Sequence, residues 1–170
     1  MKTQAFTLAL LTGAALFMSM SAVRAATQSV SANVRFLTDI TIQKNADINF
    51  GNVEAGTAAT YTIDTTGAVT TTGGVVEGGT PVVGNLLIKG SSAQAINISA
   101  ASPVISNGVS ITGETCKYGA ASAGSCTITG AAAPGSSGTT LLLGATISAD
   151  GTQADNTTAT PSFTVTVLYQ

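Results

Sequence analysis

Cys116 and Cys126 are the only cysteines in the chain, and the stretch between them runs Lys-Tyr-Gly-Ala-Ala-Ser-Ala-Gly-Ser. Glycines and small residues suit a turn, so the spacing predicts a disulfide that staples a hairpin across adjacent strands. The C-x-x-C spacing of redox dithiols is missing. Histidine is absent altogether, which removes Ser-His and Cys-His nucleophile pairs and the commonest metal ligand. The sequence has no G-x-S-x-G, no phosphate-binding G-x-x-x-x-G-K-[ST] and no G-x-G-x-x-G. Asp150 and Asp155 are the closest acidic pair in one loop, but they lack the D-x-[DN]-x-[DN]-G order of a calcium loop, and a solvated turn is expected there. The expectation is a non-enzymatic chain with no catalytic residue, no cofactor and no metal.

Charge excludes a further class. Six basic and eight acidic residues leave no basic patch for a nucleic-acid partner. Two of the basic residues, Lys2 and Arg24, lie in the first 25 positions. There Lys2 precedes an apolar run from Ala5 to Met20, and Val23 and Ala25 place small residues three and one positions before a cut at Ala25/Ala26. That order predicts a cleavable export signal over residues 1–25, and an oxidising compartment in which the cysteines close. The expected organisation is the signal, an N-terminal extension over residues 26–37, and one domain over residues 38–170.

The elements that must position these groups read as strands. From Val30 to Ile42 the even positions are apolar except Thr38, and the odd positions from Ser29 are polar except Leu37. A period of two is the pattern of a strand with one buried face. Ile48 and Phe50, then Ala59, Tyr61 and Ile63, then Leu86 and Ile88, Ile96 and Ile98, Val109 and Ile111, and Ile128 mark further short strands. Residues 67–81 read as a long hairpin arm or loop. Leu141 to Ile147 reads as a strand containing Gly144, residues 150–161 as a polar loop, and residues 162–170 as a final strand with Phe163, Val165, Val167 and Tyr169 on one face. Short strands separated by Gly, Pro, Asn and Ser predict an all-β fold, an immunoglobulin-like β-sandwich, with a closed barrel as the alternative.

Both ends carry a further pattern. Val30-x-Ala32-x-Val34, then Ile40-x-Ile42, Ile48-x-Phe50-Gly51, Leu143-Gly144 and the closing Phe163-Thr164-Val165-Thr166-Val167-Leu168-Tyr169 resemble the DUF4402 domain family and the related spore-coat-U-like subunits of the archaic chaperone-usher pilins. The resemblance implies an incomplete sandwich, completed by strand exchange with identical or related subunits. It implies Val30, Ala32, Val34 and Phe36 as the donor strand, and Phe163, Val165, Val167, Tyr169 and Gln170 as the assembly strand. Its further implications are a periplasmic chaperone, an outer-membrane usher, and a place at the cell surface in an adhesive fimbria. Standard pilins carry a cysteine in the first strand, where positions 37–43 here read Leu-Thr-Asp-Ile-Thr-Ile-Gln. Two other readings fit the composition: a monomeric secreted binding module, poorly supplied with aromatics because the chain has eight and no Trp, and a coat or matrix protein assembling by other edges.

Overall fold

The computed structural model of the chain describes residues 28–170, and they form twelve β-strands and no helix. The expected export signal, residues 1–25, lies outside the described residues. In chain order the strands are β1 (Thr41–Ala46), β2 (Asn52–Val53), β3 (Ala58–Ile63), β4 (Val69–Thr72), β5 (Val76–Gly78) and β6 (Gly84–Lys89). They continue with β7 (Ile96–Val104), β8 (Val109–Tyr118), β9 (Gly124–Ser125), β10 (Ile128–Ala131), β11 (Thr139–Asp150) and β12 (Ser162–Tyr169).

One sheet is organised on β11. Along one side of it β8 pairs from Leu141↔Tyr118 to Ala149↔Val109. The other side is shared between β6, from Thr139↔Ile88 to Leu143↔Gly84, and β3, from Ala145↔Ile63 to Asp150↔Ala58. β1 extends the sheet beyond β6, and β4 extends it beyond β3. A Cβ at Gly144 would collide with the Ile63 carbonyl oxygen and the Thr115 hydroxyl, so only glycine fits where β11 passes from one partner to the other. The second sheet is β10-β7-β12, with β12 at its edge, and β2 and β5 form a small separate ladder.

Alternation explains how the sheets face each other. Leu141, Leu143, Ala145 and Ile147 of β11 are buried, while Thr140, Leu142, Thr146 and Ser148 between them are more exposed. Leu141 and Leu143 join Leu86, Ile88, Cys116 and Tyr118 of the first sheet, and Ile96, Ile98 and Val167 of the second, in one core cluster, while Ala145 and Ile147 join Ala59, Tyr61, Val109 and Ile111 in another. The fold is therefore a β-sandwich, and its sheets do not close into a barrel. Residues 67–81 contain β4, which pairs with β3 as the arm of a hairpin, and β5, which pairs with β2, so this stretch is not open loop. The alternating stretch before Thr41 differs from the expected strand: residues 28–40 carry no strand, and Val30, Val34 and Phe36 are exposed. A strand needs a neighbour to hydrogen-bond, and none of the described strands pairs with it.

Cys116 and Cys126 are disulfide-bonded and nearly fully buried. The bond ties β8 to the end of β9, which pairs with it through Cys116↔Gly124. Replacing both cysteines by Ala should cost about 2 to 3 kcal/mol, the chain-entropy value for so short a loop. Urea unfolding of the oxidised protein and the double variant reads this directly, and equal midpoints would contradict it. A second expectation concerns Tyr61, fully buried on β3, whose hydroxyl has no hydrogen-bond partner among the described residues. Burial pushes that hydroxyl above its ordinary pKa, with Glu54 and Glu77 adding to the effect. Tyr61→Phe removes the unpaired group and keeps the ring, so stability should rise by about 1 kcal/mol or stay level. A clear loss in thermal melting would show that the hydroxyl is bonded in solution.

Candidate functional site

Among the edge strands of the two sandwich sheets are β1 in the first and β12 in the second. Strand β1 pairs only with β6, and β12 only with β7. Between these edges the core is open as a groove of about 540 Å3. Its floor is Leu86, Ile111, Leu143, Ala145 and Ile147, all inward-facing residues of the first sheet. Ala46, Ile48 and Phe50 form one wall, and Phe163 and Val165 form the other.

Each wall follows from local sequence. β12 reads Ser-Phe-Thr-Val-Thr-Val-Leu-Tyr, a run of aromatic and β-branched residues whose even members point out. Its pairing with β7 holds Val165 opposite Ala100 and Val167 opposite Ile98. Phe163 and Val165 are half-buried because nothing among the described residues covers their groove side, whereas Val167 is buried. On the β1 side, Ile42 sits opposite Ile88 and Lys44 opposite Leu86, so both face inward, yet Ile42 is 42% exposed. Lys44 bonds Asp47 at 2.9 Å on the rim, a solvated pair of small energetic weight.

Depth comes from Gly84. A Cβ at this position would stand 2.9 Å from Leu143 Cβ and 3.0 Å from Ile48 Cγ1, so glycine keeps the floor open beside β1.

Of the residues singled out from the sequence, Phe163 and Val165 line the groove, and Val167 lies in the core beyond it. Tyr169 closes the far end. Its hydroxyl accepts the Ser91 backbone N–H at 2.6 Å and donates to the Thr38 carbonyl. The backbone N–H of Gln170 donates to the Ala95 carbonyl, and its carbonyl accepts from the Gln94 side chain at 2.7 Å. Val30, Ala32, Val34 and Phe36 lie outside any strand. Sequence reasoning missed Gly84, Lys44 and the floor as a site. The signal that could have found them is weak: a glycine where an inward position is due, and a lysine on the apolar phase of an edge strand.

A family model described as a domain of unknown function, DUF4402, matches residues 40–169. The chain belongs to this family. The match takes in every strand from β1 to β12, and it leaves the segment before residue 40 outside. Comparison with curated proteins and with solved structures gives no match. What the DUF4402 domain presents here is thus read from its own geometry. Among the described residues no three His, Cys, Asp or Glu side chains come together as a metal site. Asp150 instead accepts from the backbone and hydroxyl of Thr152 and from Gln153, bonds that lower its pKa, as expected of a solvated turn.

If the floor of the groove is set by Gly84, a single methyl should disturb it. Gly84→Ala should destabilise the domain by about 1 to 3 kcal/mol, the usual cost of overpacking. Denaturant midpoints measure this, and a neutral result would mean that Leu143 and Ile48 yield without strain.

Proposed function

We propose that the chain is a structural subunit of a bacterial surface fimbria or pilus, assembled by donor-strand exchange. The observation that carries the reading is the groove between the free edges of β1 and β12, which is open above a floor of buried core residues and leaves its wall residues Phe163 and Val165 only half-buried. An open cleft and an unpaired strand edge are satisfied together by one added strand, whose backbone bonds the edge and whose alternate side chains fill the groove.

The chain supplies a strand of matching pattern. On the β12 side the groove is lined by residues 159–163 and by Val165, a length of about 23 Å at strand spacing. Val30 to Phe36 is equally long, and Val30, Ala32, Val34 and Phe36 alternate with Ser31, Asn33 and Arg35. Burying one such aliphatic side chain is worth about 1.5 to 3 kcal/mol, so the set and the backbone bonds to the strand edge together offset the cost of ordering a short segment. In this reading the chain passes through the periplasm, where a chaperone lends a strand, and an usher adds subunits at the cell surface.

A monomeric secreted binding module is the rival, since a groove with an apolar floor also suits a small ligand. Scarcity of aromatics weighs against a sugar-stacking version of it. A coat or matrix protein built by other edges leaves the groove unexplained.

Val34→Arg decides between them, with Asn33→Arg as the matched control on the opposite face. A charge forced into an apolar groove costs several kcal/mol, whereas the same charge on the solvent face is tolerated. The expected outcome is soluble, protease-resistant Val34→Arg subunit without filaments, and normal filaments from Asn33→Arg, both scored by electron microscopy of surface extracts. Filaments of normal length from Val34→Arg, or equal damage from both changes, would overturn strand exchange.

A further inference from the structure

The end of the sandwich where the N-terminal segment leaves is tied shut. Tyr169, the last residue of β12, bonds the Thr38 carbonyl and the Ser91 N–H through one hydroxyl. Arg35 donates to the Ala93 carbonyl at 2.5 Å and to the Gln94 side chain at 3.3 Å. Gly90 packs against the same hydroxyl: a Cβ there would stand 2.6 Å from Tyr169 Oη and 3.2 Å from Pro134 Cγ. These contacts hold residues 35–38 against the β6–β7 turn. The groove lies toward the other end, beside Lys44 to Phe50 and Ala159 to Val165.

Direction then matters. β12 runs from Ser162 toward the clasped end, and β1 leaves that end just after the clasped Thr38. To enter its own groove the segment would have to fold back on β1 and lie parallel to β12. A reversal of that kind favours Gly or Asn at the turn, and residues 35–40 read Arg-Phe-Leu-Thr-Asp-Ile. It would also break the bonds to Thr38 and Arg35. A strand from another molecule meets neither obstacle and is free to lie antiparallel to β12, the better-bonded arrangement.

We propose that Tyr169 and Arg35 are positioning residues that keep the N-terminal segment out of its own groove, so that the groove receives residues 28–34, the part ahead of the clasp, from a second copy of this chain. The inference rests on the strand-exchange reading and adds who the donor is and what prevents self-filling. Because the donating surface and the receiving groove differ, the contact is heterologous and propagates as an open chain of subunits.

The test uses the full chain carrying Val34→Cys and Val165→Cys, treated with a short bismaleimide and resolved on denaturing gels. With the clasp intact, cross-links should join subunits into a ladder. With Tyr169→Phe and Arg35→Gln added, internally linked monomer should rise about tenfold relative to the ladder, the equilibrium weight of the lost hydrogen bonds. A second variant, Thr38→Asn with Asp39→Gly, leaves both positioning residues in place and supplies an Asn-Gly turn. It should raise internally linked monomer in the same direction, and it decides the matter should the first variant fold poorly. An unchanged ladder from the folded variants overturns the clasp while strand exchange stands. No cross-link between segment and groove in any of these chains overturns strand exchange, and this inference with it.

Discussion

Everything in this domain hangs on β11, a strand hydrogen-bonded along both edges to three different partners. Its one long neighbour, β8, brings the disulfide, and its two short neighbours, β6 and β3, bring the first and last strands of the same sheet. Because β6 and β3 divide one side of β11 between them, the sheet must open a small gap where one gives way to the other. Gly144 sits at that point, and no side chain larger than hydrogen fits. The inward face of β11 then supplies both the closed part of the core and the floor of the groove. Leu141 lies in the first, Ala145 and Ile147 in the second, and Leu143 in both. Core and groove are therefore one apolar surface, covered by the second sheet at one end and left open at the other.

Much of this was legible in the sequence because period-two alternation survives in single strands. Tyr61 and Ile63, Leu86 and Ile88, and the run from Phe163 to Tyr169 all point where their spacing says, and the disulfide joins the only two cysteines across neighbouring strands. What could not be read was pairing. Alternation from Val30 to Phe36 looks the same as alternation in β12, yet one segment has a partner strand within the chain and the other does not. A groove is the absence of a neighbour, and absence leaves no mark on local residue pattern. The clasp at Tyr169 was equally hidden, since it joins residues 131 positions apart through a hydroxyl and a backbone carbonyl, neither of which any spacing rule selects.

The open groove is also a matter of stability. Its floor residues Leu86 and Leu143 are themselves buried in the core, so whatever fills the groove extends that core and does more than coat a surface. A small ligand would cover the floor but leave the backbone edge of β12 unpaired. A strand satisfies both, which is why the shape of the site favours a polypeptide over a small molecule.

The two free edges are not treated alike, and the difference bears on which of them receives a strand. Exposed edges invite unwanted pairing, and proteins blunt them with inward-pointing charges, bulges and lysines. β1 has all of these: Lys44 faces inward opposite Leu86, Asp47 holds it at the rim, and the register slips between Lys44 and Ala46. β12 has no charged residue and no proline across its whole length, and its only irregularity lies at its first residues, between Ser162 and Thr164. A chain that guards one edge with an inward lysine and a bulge and leaves the other bare is not simply tolerating an edge. The bare edge flanks the open core, carries Phe163 and Val165 into the groove, and ends at the tyrosine that ties down the chain's own N-terminal segment. That distribution is what the strand-exchange reading asks of a receptor strand: one edge closed to chance pairing and one kept open.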